Sequence, residues 1–311
     1  MPARTDILER LRPGDGVAVI RMRSLGDSVL CTPALHLLKA HRPDLRLAVV
    51  VEDRFREIFE GNPDIDATLQ PRAAAIRGFR PALCLNLHGG TRSARLTLLS
   101  GARFRSGFDI FRPGWIYNTP IPTAQEVLGI DRAVHTAEHA ASAMFYLGVP
   151  VTEPPRAFVP ALPGRSHLAP GGPYAVIHPF AAMPEKTWPV SSFLELARYL
   201  SQSLDLEPVF IGAGSDNLSA LSGYRTIVGA SLAEIARLMR DARLFIGNDS
   251  GPAHVAAAFG VPEVVLFGPS SLSTWAPWRT AAEAIKADGP LSSLPVSRVI
   301  AAVENLQVRA V

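Results

Sequence analysis

Short apolar segments alternate with helix-like segments along this chain, and the alternation occurs in two blocks. The first block contains "VAVIRM" (Val17–Met22), "LRLAVVVE" and "ALCLNLH", and the second contains "YAVIHP", "EPVFIGAG", "LFIGND" and "VVLFGP". Segments of this length and composition are typical of buried strands. Alternating strands and helices form parallel sheets with helices on both faces. The sequence therefore predicts an α/β protein with two doubly wound, Rossmann-like domains that face each other across a cleft.

Proline marks the boundary between the two blocks. The residues that separate them include Pro150, Pro154, Pro155, Pro160, Pro163, Pro170 and Pro173. Proline disfavours both helices and central strands, so this segment is predicted to be a linker. We predict an N-terminal domain at residues 1–155, a proline-rich linker at 156–173 and a C-terminal domain at 174–311. A second stretch rich in Pro, Gly and aromatic residues, from Phe108 to about Asp131, is predicted to be a long loop.

Composition and charge narrow the class of protein. No apolar run reaches the roughly 18 residues needed to span a bilayer. The first residues also lack the apolar core of a signal peptide, so we expect a cytoplasmic protein, with no nucleic-acid partner. The net charge of +3 is concentrated in the first half, which favours either an ordinary solvated surface or contact with an anionic acceptor or the inner face of the cytoplasmic membrane. Cys31 and Cys84 lack the spacing of zinc ligands and are expected to be buried thiols.

The turn Asp249-Ser250-Gly251 lies between a predicted strand and a predicted helix. One interpretation is purely structural, because Asp or Ser is a good helix N-cap and Pro252 suits the first helical turn. The other is functional, because the backbone N–H groups and dipole of a helix N-terminus bind anions, and His254 adds a donor. Since Asp249 is negatively charged, we expect it to orient N–H groups or to bind sugar hydroxyls rather than phosphate.

Two further motifs follow strands or turns. Lys186, in "HPFAAMPEKTWP", follows the strand "YAVIHP" and is either an exposed lysine or a phosphate-binding one, whereas Trp188 is expected to pack in the core. Asp64 and Asp66, in "PDID", resemble the Asp-x-Asp pair of metal-dependent transferases but lie at the beginning of a short strand. That is the opposite edge from ligand sites in such sheets, so turn chemistry explains the pair and no metal is expected.

In the first block, Gly26 and Asp27 lie at the turn from the first strand into a helix predicted to run from Gly26 to His41. Asp27 is either the N-cap of that helix or a general base at the carboxyl end of the strand. His88 and Arg92, in "NLHGGTRSAR", follow a third strand and form either an ordinary turn or part of an acceptor site. Asparagine caps helices about as well as aspartate, so an Asp27→Asn variant is expected to change stability by less than roughly 1 kcal/mol.

Four segments, in this order, together resemble glycosyltransferase family 9, the heptosyltransferases of lipopolysaccharide core assembly: "RSLGDSVLCTPAL", "LNLHGGTRSA", "KTWP" and "FIGNDSGPAHVAAAFGVPEVVLFGPS". The resemblance implies a GT-B fold and an inverting, metal-independent transfer that needs no cofactor. It implies a nucleotide-sugar donor, usually ADP-L-glycero-D-manno-heptose, and a glycolipid acceptor, the growing inner core on lipid A.

The resemblance also implies roles for individual residues. Asp27 matches the base in the family's S-x-G-D turn, and Lys186 matches the lysine at the donor phosphates. The remaining donor-side candidates are Asp249, Ser250, Gly251 and His254 at the diphosphate and sugar, Asp216 at the ribose, and Gly229–Ser231, ending at Ser231, at the adenine. The acceptor-side candidates are Ser24, Gly26, His88 and Arg92.

Two other classes of function stay open on the sequence. A nucleotide-sugar epimerase of GT-B shape would use a similar donor turn without a carboxylate base at Asp27. A non-catalytic nucleotide-sugar-binding protein would lose the base or the lysine. The chain has both Asp27 and Lys186, which favours the transferase.

Overall fold

A computed structural model describes residues 5–161, 163–181 and 183–308 of the chain. The chain divides into two compact units, Met1–Pro160 and Ala161–Val311. This division lies within the proline-rich segment, in which the sequence predicts a linker at 156–173. Each unit is described by itself.

The first unit is built on a six-stranded parallel sheet. Its strands are β1 (Gly16–Ile20), β2 (Arg46–Val50), β3 (Ala67–Leu69), β4 (Pro81–Asn86), β5 (Phe104–Phe108) and β6 (Thr119–Ile121). They lie in the order β3-β2-β1-β4-β5-β6. The order reverses between β1 and β4, and ligands of doubly wound sheets bind outside the carboxyl ends of the strands at such a reversal.

Six helices of the described residues accompany this sheet. They are α1 (Leu25–Leu30), α2 (Thr32–His41), α3 (Ala73–Phe79), α4 (Thr91–Leu98), α5 (Ala124–Leu128) and α6 (Thr136–Leu147), with 3₁₀ turns at Asp53–Ile58 and Gly114–Ile116. The helix predicted from Gly26 to His41 is two helices, because Cys31 is both the C-cap of α1 and the N-cap of α2. The prediction of a loop from Phe108 to about Asp131 is wrong, since the segment contains β6 and α5. Both elements are too short to give a recognisable hydrophobic period.

The second unit repeats this architecture. Its strands are β7 (Tyr174–His178), β8 (Glu207–Gly212), β9 (Arg225–Val228), β10 (Leu244–Asn248), β11 (Glu263–Phe267) and β12 (Ala282–Lys286). Its helices are α7 (Val190–Ser203), α8 (Leu232–Arg240), α9 (Gly251–Phe259), α10 (Leu272–Trp275) and α11 (Val296–Asn305), with 3₁₀ turns at Pro184–Lys186, Ser219–Leu221 and Leu291–Ser293. The strands are parallel in the order β12-β11-β10-β7-β8-β9, so the reversal lies between β7 and β10.

The central strands are nearly continuous apolar runs because they lie in the cores of the two units. Every residue of β1, β7, β10 and β11 is buried, as expected for strands covered by helices on both faces. Trp188 packs in the second core as predicted: it is fully buried, its ring lies 4.9 Å from that of Phe193, and its Nε1 donates to the carbonyl oxygen of Leu294 at 2.9 Å. Cys31 and Cys84 are buried free thiols, and burial raises the pKa of each to about 12.

One buried residue does not fit an apolar core. Glu263, the first residue of β11, is fully buried, and neither carboxyl oxygen has a hydrogen-bond partner among the described residues. Burial raises the pKa of this carboxyl well above its ordinary value. Glu263 therefore folds as the neutral acid, at the amino end of its strand and away from the ligand edge of the sheet.

Candidate functional site

The turn after β1 holds Asp27 by a reciprocal cap. Ser24 is the N-cap of α1, and Asp27 is the third residue of that helix. One carboxylate oxygen of Asp27, Oδ2, accepts from the backbone N–H of Ser24 at 3.3 Å and from its Oγ at 3.0 Å. Of the two alternatives for Asp27, the N-cap is therefore wrong, because an acid at the third position reaches back to the cap residue in a capping box. Gly26 is buried within the same turn.

The second carboxylate oxygen of Asp27 is bound by Arg21, the residue that follows β1. Arg21 donates Nη2 to Oδ1 of Asp27 and Nη1 to the carbonyl oxygen of Leu87. The two side chains are only 13% and 22% exposed, so water screens their charges weakly. Burial lowers the pKa of Arg21, but a guanidinium stays charged in proteins. The carboxylate of Asp27 is therefore held by Arg21 at one oxygen and by the N-cap residue Ser24 at the other, which fixes its orientation.

A small cavity adjoins this ion pair. It is lined by Arg21, Asp27, Cys31, Leu87, Thr136, His139 and Ala140. His139, on α6, stacks against Phe108 with ring centroids 4.1 Å apart. Burial and the nearby charge of Arg21 lower the pKa of His139 to about 4, so the imidazole is neutral at pH 7. Arg21 is therefore the single positive charge among the side chains that line the cavity.

The turn after β4 is organised by a buried amide. The Oδ1 of Asn86 accepts the backbone N–H groups of His88 and Gly89 at 3.0 and 3.1 Å, and its Nδ2 donates to the hydroxyl of Tyr117 at 2.8 Å. Burial, with the charges of Arg21 and Arg23, lowers the pKa of His88. The neutral form of His88 therefore predominates at pH 7.

The structure brings together most of the acceptor-side candidates. Ser24, Gly26 and Asp27 share the turn after β1, and His88 follows β4, the neighbouring strand at the reversal. Arg92 differs from these candidates in its partner: its exposed side chain pairs with the carboxylate of Glu52 at 3.2 Å.

Sequence reasoning missed Arg21, Asn86 and His139. The sequence does indicate a special position for Arg21, because an arginine that directly follows a fully apolar strand lies at the end of a buried strand.

In the second unit, the turn after β10 meets the loop after β7. Ser250 is the N-cap residue of α9, but its Oγ lies 2.9 Å from Nδ1 of His178 and does not cap the helix with a hydrogen bond. Burial lowers the pKa of His178 to about 4, so this partner is a neutral imidazole at pH 7. Lys186 reaches Asp249, with Nζ 3.3 Å from Oδ2. Lys186, Asp249, Ser250 and Gly251 thus lie at one edge, as predicted, around the reversal between β7 and β10.

Two residues that sequence reasoning passed over hold this arrangement. Asn248 is fully buried, accepts the N–H of Trp188 at 3.0 Å and donates to the carbonyl oxygen of Pro179 at 3.0 Å. It therefore ties both ends of the lysine loop to the end of β10. Gly268 follows β11, and a Cβ placed there would lie 2.6 Å from the carbonyl oxygen of Glu185. Only glycine lets the segment that carries Lys186 pass so close to this strand end.

The other donor-side candidates lie at the same edge but have structural partners. His254 is buried in the first turn of α9, with its ring centroid 6.3 Å from that of Trp275. Asp216 accepts the N–H of Ala213 at 2.7 Å and closes the turn after β8. Ser231 caps α8 by accepting the N–H of Glu234 at 3.2 Å. These contacts are structural, so ribose binding by Asp216 and an adenine contact at Ser231 stay predictions.

Across residues 5–161, 163–181 and 183–308, no group of three or more His, Cys, Asp or Glu side chains is arranged to hold a metal ion. Asp64 and Asp66 precede β3, as predicted, and contact His36 at 3.0 Å and Lys39 at 2.8 Å respectively. In the described part of the chain, none of the helices has both the length and the apolar character required to span a bilayer.

The chain is similar to known proteins in both sequence and fold. The chain is 26% identical to lipopolysaccharide heptosyltransferase 3 of Escherichia coli, over 92% of this chain and 97% of that protein. Among solved structures, a family 9 glycosyltransferase from Veillonella parvula aligns with a TM-score of 0.82 at 22% identity, covering 94% of this chain and 97% of that one. The E. coli heptosyltransferase WaaC, solved with ADP, aligns with a TM-score of 0.75 at 20% identity over 94% and 99% of the two chains.

These structural neighbours confirm the predicted α/β class with two Rossmann-like units, the GT-B class of fold. The model of glycosyltransferase family 9 (heptosyltransferase) matches residues 75–294, which is more than half of the chain. The protein is therefore a glycosyltransferase, and it belongs to glycosyltransferase family 9.

Proposed function

We propose that this protein transfers a heptose from ADP-heptose to a lipopolysaccharide core acceptor, with inversion at the anomeric carbon and without a metal. One observation carries the proposal. At the strand-order reversal of the first unit lies an oriented carboxylate, Asp27, and at the reversal of the second unit lies a helix N-terminus with a lysine, Lys186. A base and an anion site are the two parts that glycosyl transfer from a nucleotide sugar requires. The names of the relatives, which include a lipopolysaccharide heptosyltransferase and a heptosyltransferase solved with ADP, support the choice of substrates.

The second unit is proposed to bind the donor. The N-terminus of α9, with Ser250 and Gly251, offers N–H groups and a positive dipole end to the diphosphate, and Lys186 offers a charge. Asp249, now paired with Lys186, is proposed to accept hydrogen bonds from the sugar hydroxyls. Asp216, in the turn after β8, is proposed to bind the ribose through its second carboxylate oxygen. The segment that ends at Ser231 is proposed to contact the adenine, and His254 to support the diphosphate.

The first unit is proposed to present the acceptor. Asp27 takes the proton of the acceptor hydroxyl as that oxygen bonds to the anomeric carbon, and the bond from this carbon to the diphosphate oxygen breaks. Attack opposite the leaving group inverts the anomeric configuration. General base catalysis contributes about 10²–10⁴-fold. Arg21 holds the carboxylate in its orientation, and Ser24, Gly26, His88 and Arg92 are proposed to shape the acceptor side.

Metal independence follows from the same proposal. ADP leaves with growing negative charge on its diphosphate, and preorganised donors can stabilise such a charge. Lys186 and the N-terminus of α9 supply a cation and N–H groups at that position, which is the role a divalent ion has in metal-dependent transferases. The proposed partners are therefore the ADP-sugar and a glycolipid acceptor, at the cytoplasmic face of the membrane.

Product analysis with three incubations tests this function. The protein is incubated with ADP-heptose alone, with a heptose-free core acceptor alone, and with both, and the products are identified by mass spectrometry. We expect ADP release and an acceptor heavier by one heptose only when both substrates are present. Conversion of the donor alone into another sugar nucleotide would instead identify an epimerase. Donor binding without any turnover would identify a binding protein. NMR of the new glycosidic linkage reads out inversion.

A further inference from the structure

A short segment between β5 and β6 exposes apolar side chains to solvent. In this segment, residues 109–115, the side chains of Ile110 and Trp115 are 58% and 72% exposed, which is unusual for residues of their size. The segment is nevertheless fixed in place, because Ile116 and Tyr117 directly after it are buried against Ala94 of α4. The exposed tryptophan therefore stands on a rigid base.

Basic residues surround these two apolar side chains. Arg112, within the segment, donates to the carbonyl oxygens of Asp109 and Phe111, and its side chain is otherwise exposed. On α4, which packs against the 3₁₀ turn at Gly114–Ile116, Arg92 and Arg95 lie three residues apart on the exposed face. Arg92 pairs with the carboxylate of Glu52 at 3.2 Å, whereas Arg112 binds Asp109 through its backbone carbonyl oxygen. Arg92, Arg95 and Arg112 thus outnumber the two acidic residues, Glu52 and Asp109, beside them.

The same surface adjoins the acceptor side of the first unit. The ring of Phe111 packs so closely over Gly89 that a Cβ there would lie 2.9 Å from it, and Gly89 is the neighbour of His88 in the chain. Segment 109–115 and the turn that carries His88 are thus continuous. A partner on this surface would lie next to the proposed acceptor site.

We propose that Ile110, Trp115 and Arg112, flanked by the arginines of α4, form a docking surface for an anionic lipid bilayer. Tryptophan prefers the boundary between headgroups and acyl chains, and arginine beside it pairs with anionic headgroups. An exposed apolar pair with a cationic border matches that boundary in both polarity and charge. The inference rests on the proposed function, because a lipid-anchored acceptor places the reacting hydroxyl just above such a surface.

Vesicle binding by the full-length protein tests the surface directly. Vesicles of phosphatidylcholine with about one third phosphatidylglycerol are sedimented with the protein, beside vesicles of phosphatidylcholine alone. We expect binding to the anionic vesicles, weaker binding to the neutral ones, and a decrease as salt is raised. Trp115→Ala should lower the apparent affinity about tenfold or more, the size expected for loss of a buried aromatic side chain. Arg112→Gln should lower it about fivefold.

Phe158→Ala is the matched control, because Phe158 is also an exposed aromatic residue of the first unit, at 45% exposure, outside the proposed surface. It should bind vesicles like the wild type, and thermal melting checks that every variant is folded. Equal vesicle binding by wild type and Trp115→Ala, or no binding of wild type to anionic vesicles, would overturn the inference. So would a wild-type dimer in solution that Trp115→Ala converts to a monomer, since the surface would then bind a second copy.

Activity on a water-soluble acceptor fragment separates this inference from the proposed function. Trp115→Ala should keep wild-type turnover on the fragment and lose activity only on vesicle-embedded acceptor. If the fragment is never glycosylated while vesicle binding behaves as expected, the proposed function fails and the docking surface stands. If the fragment is glycosylated normally and Trp115→Ala loses nothing on vesicles, the docking surface fails alone.

Discussion

Replacing Asp27 with asparagine changes a group that holds two partners at once. One carboxylate oxygen accepts from the N–H and the hydroxyl of Ser24, at 3.3 and 3.0 Å, and the other accepts from Arg21. Asparagine has a single acceptor oxygen, so it can keep the contact to Ser24 or the contact to Arg21, but not both. In either case Arg21 loses its counter-charge while remaining largely buried.

The size of this effect follows from the exposure of the pair. Hydrogen bonds to charged groups contribute about 1.5–3 kcal/mol, and the two side chains are only 13% and 22% exposed. We therefore expect Asp27→Asn to lower the free energy of unfolding by about 2 kcal/mol. This exceeds the change of less than roughly 1 kcal/mol expected from the cap alone. For a domain of this size the melting temperature should fall by about 4–8 °C.

A double-mutant cycle with Arg21→Met measures the ion pair itself. Each single variant should lose about 2 kcal/mol, and the double variant should lose less than their sum by about 1.5–2 kcal/mol, because the second change removes an already unpaired group. Turnover should fall by about 10²–10⁴-fold in Asp27→Asn, since the base is lost. Affinity for ADP should be unchanged, because the donor-side candidates lie on other residues, in the second unit.

Urea denaturation, calorimetric ADP binding and ADP-release kinetics on the four proteins give these quantities. If the two stability losses simply add, Arg21 and Asp27 do not interact in solution, and the positioning of the carboxylate by Arg21 is wrong. If a folded Asp27→Asn enzyme turns over at nearly the wild-type rate, Asp27 is not the base, whatever its contribution to stability.

Three further predictions concern other residues. Lys186→Ala should weaken ADP binding much more than adenosine binding in calorimetry, because only ADP carries the diphosphate; equal losses would exclude a phosphate contact. Activity should survive EDTA, because Lys186 and α9 supply the positive charge; loss that Mg²⁺ or Mn²⁺ restores would refute this. Glu263→Gln should become more stable than the wild type as pH rises above about 4.5, by up to about 1.4 kcal/mol per pH unit. The reason is that the raised pKa makes the carboxyl of Glu263 keep its proton in the folded wild type, whereas the unfolded chain has lost it. Urea denaturation between about pH 5 and 8 checks it, and parallel curves for variant and wild type would contradict it.

The sequence predicts the central strands better than the edges of each sheet, for a physical reason. β1, β7, β10 and β11 are buried on both faces, so nearly every residue is apolar and the pattern is visible without neighbours. β6 and β9 are edge strands, with residues partly exposed and with Pro120 in β6. Their short mixed sequences resemble loops, and only pairing with β5 and β8 makes them strands.

The site follows the same division between local and long-range information. That polar residues follow strands is visible in the sequence, and so is a helix beginning at such a turn. Which turns meet is not, because it depends on strand order: Lys186 contacts Asp249, and His178 contacts Ser250, only because β7 lies beside β10. Arg21 and Asp27 are six residues apart, yet their contact also requires the turn between them to fold back on the end of β1.

The ion pair between Lys186 and Asp249 affects what a measurement of ligand affinity reports. Lys186 is already neutralised by Asp249, at 3.3 Å, so on the proposed function an arriving diphosphate replaces one anionic partner with another. The lysine then contributes the difference between two charge pairs rather than the whole of one. The carboxylate of Asp249, once released by the lysine, keeps its negative charge, and nearby sugar hydroxyls can donate hydrogen bonds to it. This explains how an acidic residue can lie in an anion-binding site. Removing Lys186 therefore also leaves Asp249 unpaired beside the diphosphate, and the comparison of ADP with adenosine is what isolates the effect of charge.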